Sequence, residues 1–383
     1  MPRAKAVWPS KKANDEFMMN RRRTLLSLAA IPTTLTQANF SLAATPSPAA
    51  WRMPDEAEPH ARTWMVFGAH LDIWGRKLLP VVQKDLANIA MAIARFEPVS
   101  MLVRPNDMAQ ASELLKGSRV ELIEQMVDDF WVRDSGPVFV TNHQGQKAAV
   151  DFNFNGWGKK QKHAHDAKVA AFVADRAGVA RLKTSLVLEG GGIEVDGHGT
   201  AIITESCVLN ANRNPGVSKA DCEAELKRLL GLEKILWLPG IKGKDITDGH
   251  TDFYARFAAP GVVVAGYDTD PASYDQAVTK RHLNLLRDMT DARGNKLDVV
   301  VIEGPETVRE RYADKDFAAG YINFYVCNGA VIAPEFGDKK ADANARDTLK
   351  DLFPSREIVQ LNIDGVAAGG GGIHCTTQQE PAV

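Results

Sequence analysis

The chain has 383 residues, with 46 Lys and Arg against 48 Asp and Glu, a formal net charge of −2, and ordinary apolar (45%) and charged (25%) fractions. That length accommodates two domains or one large α/β domain, and so balanced a charge argues against a nucleic-acid binder that works through a global basic field. Its four cysteines, Cys207, Cys222, Cys327 and Cys375, form no CxxC pair and are too few for a disulfide scaffold.

The first 50 residues differ from the rest. Arg22-Arg23-Thr24-Leu25-Leu26 follows the twin-arginine pattern, a weakly apolar stretch runs from Leu25 to about Leu42, and small residues around Ala43-Ala44 suit cleavage. Residues 1–44 therefore read as an export signal of the twin-arginine type, with the working start at Met1, Met18 or Met19, and residues 45–50 as a linker. Export would place the mature protein in the periplasm or outside the cell. No later apolar run reaches the ~18 residues that a membrane span needs, so stable membrane insertion is not expected.

From about residue 60, strand-like and helix-like segments alternate to the end. Residues 61–70 and 99–105 read as strands. Between them, residues 78–96 carry Leu79, Val82, Leu86, Ile89 and Ile93 on one helical face. Helices are also predicted over 107–117, 163–177, 218–231, 271–291 and 341–353, most of them leading into a β-rich run (120–125, 235–239, 297–303, 357–363). Four hairpins recur, over 137–152, 193–204, 253–267 and 322–336, each with Gly or Asn at its turn, residues that accept positive φ. Each is followed by a helix and a strand, at roughly 55 to 70 residues per unit. The expected architecture is one α/β domain over 51–383 built of hairpin–helix–strand repeats, with a fifth unit if the terminal strands meet.

Four places could carry chemistry. Cys375 follows the run Gly369 to Gly372, whose missing side chains would let a substrate approach closely; its thiolate would be a nucleophile. His250 and Asp252, two apart in a β-prone segment, would face one pocket from a strand, and an imidazole moves protons near neutral pH. Asp134, three residues after Trp131, sits in an Asp-Ser-Gly-Pro turn. Glu189 precedes three glycines, at a strand end or in a pocket wall. Taken singly, each has a structural explanation: a buried thiol, a strand end, a turn.

Together they suit a cationic substrate. Carboxylates beside a thiolate oppose the oxyanion chemistry of cysteine proteases. A guanidinium group reverses the requirement, because it is a permanent cation whose paired N–H donors match carboxylates. Asp134 and Asp252 would hold it, Cys375 would add to its central carbon, and His250 would protonate the departing ammonia and then activate water. No metal or other cofactor is required.

The strings WVRDSGP (131–137), LEGGGIEVDGHGT (188–200), ESCVLNANRNP (205–215), DITDGHTDFYARF (245–257) and GGGGIHCTTQQEP (369–381) together resemble the agmatine deiminase family, which includes the bacterial type of peptidylarginine deiminase. The resemblance implies the five-bladed α/β propeller of guanidino-group-modifying enzymes, the pentein fold. It implies Cys375 as nucleophile, His250 as acid and base, Asp134 and Asp252 as guanidinium-binding carboxylates, and Trp131 as the pocket aromatic; Glu189, read as a pocket wall, is a further candidate to bind the substrate. The implied reaction converts agmatine and water to N-carbamoylputrescine and ammonia, a step toward putrescine. Family members of the agmatine type are usually cytoplasmic, so an export signal raises the alternative of arginine in exported peptides; Lys159 and Lys160 are candidates to meet a terminal carboxylate. Other classes weighed are a metal-dependent hydrolase built on His163, His165 and Asp166 with His198 and His250, and a binding protein for cationic solutes. The expected partner is a small cationic guanidino compound rather than nucleic acid; a homo-oligomer is compatible with a sequence otherwise silent on assembly.

Overall fold

The computed structural model describes residues 51–312 and 317–383. The export signal expected over 1–44 and the linker at 45–50 lie outside the described residues. The strands run β1 (His60–Phe67), β2 (Val99–Val103), β3 (Val120–Glu124), β4 (Val138–Thr141), β5 (Lys147–Asp151), β6 (Ala180–Lys183), β7 (Ile193–Val195), β8 (Thr200–Thr204), β9 (Lys234–Leu238), β10 (Ala255–Ala259), β11 (Val262–Tyr267), β12 (Asp298–Glu303), β13 (Tyr325–Cys327), β14 (Ala330–Glu335), β15 (Glu357–Asn362) and β16 (Thr377–Pro381). They make five small sheets: β4-β5-β6, β7-β8-β9, β10-β11-β12, β13-β14-β15, and β16-β1-β2-β3.

All five sheets follow one plan. An antiparallel pair is extended by a parallel strand, by two of them (β2 and β3) in the fifth sheet, and a parallel neighbour needs a crossover. Helices Val169–Ala177, Lys219–Leu230, Gln276–Asp288 and Lys339–Leu352 supply it in the four internal sheets. In the fifth sheet the antiparallel pair is made by the two ends of the described chain, with Thr63 opposite Gln379 and Met65 opposite Thr377. The hairpin glycines Gly145, Gly197, Gly261 and Gly329 all have φ between 68° and 84°, a region that L side chains rarely enter. All four cysteines are buried and free of disulfides. Among the described residues no helix is long and apolar enough to cross a membrane.

Helix boundaries depart from the sequence periodicity where side chains compete for the backbone. The first helix spans Leu71–Ile93 rather than 78–96; it is interrupted at Gly75, at φ 62°, and resumes with Pro80 inside its span. The helix expected over 271–291 is shortened to Gln276–Asp288, because Asp270 Oδ1 accepts from Ala272 N and Ser273 Oγ from Asp275 N, local bonds that favour turns over helix. The helix expected from 163 starts at Val169, and Asp166 instead accepts the backbone N–H groups of Asp128 and Asp129.

Candidate active site

The turn that leads into the first strand of each antiparallel pair contributes one polar side chain to a common centre. Asp134 stands on the short helical turn Val132–Ser135 before β4, Glu189 immediately before the turn Gly190–Gly192 that enters β7, and Asp252 in the turn Thr251–Phe253 before β10. Asn323 precedes β13, and Cys375 lies in the turn His374–Thr376 before β16. The repeat thus gathers five equivalent positions, drawn from across some 240 residues of chain, around one cavity of about 700 Å³, which Asp134 and Cys375 line.

His250 and Asp252 do not share a strand face as expected. His250 is extended (φ −61°, ψ 144°) and Asp252 belongs to a 3-10 turn, yet both are directed inward. A Cβ on Gly191 would meet His250 Nδ1 at 2.7 Å, Asp134 Oδ1 at 2.9 Å and Asp252 Oδ2 at 3.1 Å, so glycine is what lets the three groups converge. Asp134, His250 and Cys375 line the cavity, and Trp131 forms part of its wall. Asp252 lies directly beneath, its Oδ2 3.6 Å from Cys375 Sγ.

Glu189 is not a cavity wall, and its expected place against the substrate is corrected. It is fully buried behind the imidazole, with Oε2 3.3 Å from His250 Nε2 and Oε1 held by Arg213 Nε at 3.1 Å. Asp134 accepts from Trp157 Nε1 at 2.9 Å and from Gly191 N at 3.2 Å, and stands 3.6 Å from His250 Nδ1. Trp131 is fixed by its indole N–H on Asp129 Oδ2 at 3.1 Å and by Phe130, with ring centroids 4.2 Å apart.

The glycine run before Cys375 serves the protein's own side chains. A Cβ at Gly369 would overlap the ring of Trp74, at Gly371 the ring of Trp131, and at Gly372 the amide of Asn323. Asn323 in turn brackets the thiol: its Nδ2 lies 3.4 Å from Cys375 Sγ, and its Oδ1 accepts from Cys375 N at 3.4 Å.

Burial and then Asp252 and Asp134 push the Cys375 thiol well above its ordinary value. Burial also raises Asp134 to about 6, against the opposing pull of His250. The His250 pKa is raised as well: burial opposes its charge, but Asp134, Cys207 and Glu189 together hold it well above ordinary, which favours the protonated ring. Burial disfavours the charge on Asp252 too, yet His374 and His250 keep that carboxyl below its usual range. One Asp252 oxygen, Oδ1, is buried without a donor among the described residues.

Several participants escaped the sequence reading. Trp157, Asn323, His374 and Arg213 each contact a site residue, Glu56 pairs with His374, and none of the five carried a local signal in the sequence. The proposed metal spacing dissolves: His163 Nδ1 bonds Gln161 O, Asp166 caps backbone, and His198 Nδ1 meets Arg293 Nη2 at 2.8 Å. The donors that do lie together are those of Glu189, Cys207 and His250, all within 4.8 Å of one another, and Glu189 already hydrogen-bonds with both partners. Lys160 does not line the cavity; its Nζ pairs with Asp248 at 2.7 Å.

Residues 52–381 match the family model described as Porphyromonas-type peptidyl-arginine deiminase. A Streptomyces coelicolor relative is 43% identical over 339 residues, covering 86% of this chain and 99% of its own. A Pseudomonas aeruginosa protein named agmatine deiminase is 39% identical, covering 88% of this chain and 97% of its own. A solved structure of agmatine deiminase from Enterococcus faecalis superposes with a TM-score of 0.82 at 34% identity, over 87% of this chain and 96% of that one.

Proposed function

The chain belongs to the Porphyromonas-type peptidyl-arginine deiminase family, and from that premise we propose that it is an agmatine deiminase, hydrolysing agmatine to N-carbamoylputrescine and ammonia through a thiouronium intermediate on Cys375. The observation that carries this reading is Asp252: Oδ2 is committed to His374 and lies 3.6 Å from the Cys375 thiol, and Oδ1 of the same carboxylate is a buried acceptor without a donor among the described residues. A guanidinium supplies paired N–H donors and a charge that balances Asp134 and Asp252.

That charge also answers the raised thiol pKa. A cation seated between the two carboxylates offsets the repulsion that disfavours the thiolate. The thiolate adds to the guanidinium carbon. His250, held protonated, gives its proton to the departing amino group, which leaves as ammonia. The now neutral ring takes a proton from water, the hydroxide adds to the thiouronium carbon, and collapse returns the thiolate and, as the hydroxyl proton passes to the released ammonia, leaves a neutral ureido product and ammonium.

The cavity lining favours an amine over a carboxylate on the substrate, since among the described residues Asp245, Asp268 and Asp275 line it with Lys244 as the one lysine or arginine. The relatives named agmatine deiminase agree with this choice. We read the five sheets as blades of a five-bladed α/β propeller, with the five equivalent turns at its centre, and residues 1–44 as directing twin-arginine export, which fractionation of a tagged full-length chain tests. Ammonia release from agmatine, free arginine and a peptide ending in arginine, measured side by side, tests the activity. Agmatine should be the preferred substrate and Cys375→Ala inert; preference for the peptide, or activity without the thiol, overturns the reading.

A further inference from the structure

His374 precedes the nucleophile, and both of its ring nitrogens are engaged by carboxylates. Nδ1 stands 2.7 Å from Asp252 Oδ2 and Nε2 2.9 Å from Glu56 Oε2. Carboxylate oxygens only accept when ionised, so the ring form that satisfies both contacts carries hydrogen on both nitrogens. Burial and the guanidinium groups of Arg133 and Arg256 press the His374 pKa below its ordinary value, against the upward pull of Glu56 and Asp252.

Glu56 is itself immobilised. It accepts from Val326 N at 2.8 Å, Arg256 Nη2 at 2.9 Å and Arg133 Nη2 at 3.1 Å, besides His374. Arg133 continues to Gln379 Oε1 at 2.7 Å, and Arg256 to Phe324 O at 2.8 Å and Glu194 Oε2 at 2.8 Å. These anchors lie on or just before strands of all five sheets, so the chain Glu56–His374–Asp252 is referenced to the frame of the fold rather than to one loop.

We propose that His374, braced by Glu56, is a positioning residue that fixes the Asp252 carboxylate: it occupies Oδ2 and so presents Oδ1 to an N–H of the substrate cation beside Cys375. The inference rests on the reading that this site binds a guanidinium. Its specific consequence is that cation recognition depends on the hydrogen at the Nδ1 position of residue 374, whatever the rest of that side chain does. Asparagine keeps a donor near that position, whereas glutamine reaches toward Glu56 and leaves Asp252 unheld.

Alkylation of Cys375 separates the two readings without recourse to agmatine. The probes are 2-chloroacetamidine, a cation shaped like the guanidinium head, and its neutral counterpart 2-chloroacetamide; the quantity read is the ratio of their inactivation rates. The wild-type enzyme should favour the amidinium. His374→Gln should reduce that ratio about tenfold or more, the scale of a lost charge-assisted bond, and should raise KM for agmatine more than it lowers kcat, with an unchanged Tm. His374→Asn should keep the ratio within about threefold of wild type. An undiminished ratio in His374→Gln overturns this inference alone, while no amidinium preference in the wild-type enzyme overturns the guanidinium reading and this inference with it. Should His374→Gln fail to fold, imidazole 15N shifts of the wild-type chain decide: hydrogen on His374 Nδ1, with or without hydrogen on Nε2, supports the proposal, and a bare Nδ1 overturns it.

Discussion

Trp157 donates its indole N–H to Asp134 Oδ2 at 2.9 Å from a left-handed backbone, φ 54° and ψ 47°. A bulky residue in that region is uncommon and costs energy. Here the turn aims the ring at the carboxylate, and Asn155 Oδ1 closes the loop by accepting from Gly158 N at 2.7 Å.

Trp157→Phe removes that donor and keeps most of the ring. Burial already raises Asp134 to about 6, and the Trp157 bond is among the contacts that lower it. Losing the bond moves the pKa up. If ionised Asp134 holds the substrate, kcat/KM falls as pH drops through that pKa, so the acid limb of the profile should shift to higher pH, with a loss of about tenfold near neutrality, as for one bond to a charged group. An unshifted acid limb would assign that limb to another group.

Glu189→Gln tests the group behind the imidazole. Glu189 is among the contacts that hold the His250 pKa up, after Asp134 and Cys207. A histidine acting as an acid loses activity as pH rises through its folded pKa. Removing the Glu189 charge should therefore bring the alkaline limb of kcat/KM to lower pH, and the acid limb, set by Asp134, should move to lower pH with it, because Glu189 also raises the Asp134 pKa. The measurement is a pH–rate profile with agmatine, and movement of the alkaline limb to higher pH contradicts the assignment.

The contrast between Glu189 and Asn323 shows how far the sequence could be read. The alternation of hairpin, helix and strand was legible because turn glycines and apolar periodicity are local signals, and Cys375, His250, Asp134 and Asp252 stood out as reactive types in glycine-rich strings. What was not legible depends on which atom faces which. The sequence places Glu189 beside glycines in either role, and only packing sends it behind His250 rather than against the substrate. Asn323 sits in a string that reads as ordinary β-hairpin. Glu56 and His374 meet across more than 300 residues of chain, and no periodicity encodes a contact at that separation.

His282 offers a stability test away from the site. It is buried with Nδ1 unpartnered among the described residues and Nε2 accepting from Gly240 N at 3.2 Å, and burial lowers its pKa to about 4. The unfolded chain protonates this ring near ~6.5 and the folded chain resists until about 4. Its contribution is thus complete above the unfolded value and is lost as pH falls through that window, to a total of about 3 kcal/mol. His282→Gln can still accept from Gly240 and does not titrate. Denaturant melts from pH 7 to 4 should show a shallower loss of stability for the variant; parallel curves would show that His282 is not the group responsible.

Gly371→Ala probes why the run before the nucleophile is glycine. The added methyl would overlap the Trp131 ring, which is held from the other side by Phe130 and by the bond to Asp129. The ring has to leave that bond or the loop has to shift, and the loop carries Cys375 four residues on. Displacing a positioned nucleophile by about 1 Å costs on the order of 100-fold, so kcat/KM for agmatine should fall by about that factor while Tm changes little, because the strain falls on a loop rather than on a sheet. Trp131→Ala in the Gly371→Ala background clears the overlap and separates two roles for the glycine. If it serves the fit against Trp131, the double variant should regain part of the activity lost by Gly371→Ala alone. If the substrate itself needs the space, the double variant should be no better than the single one.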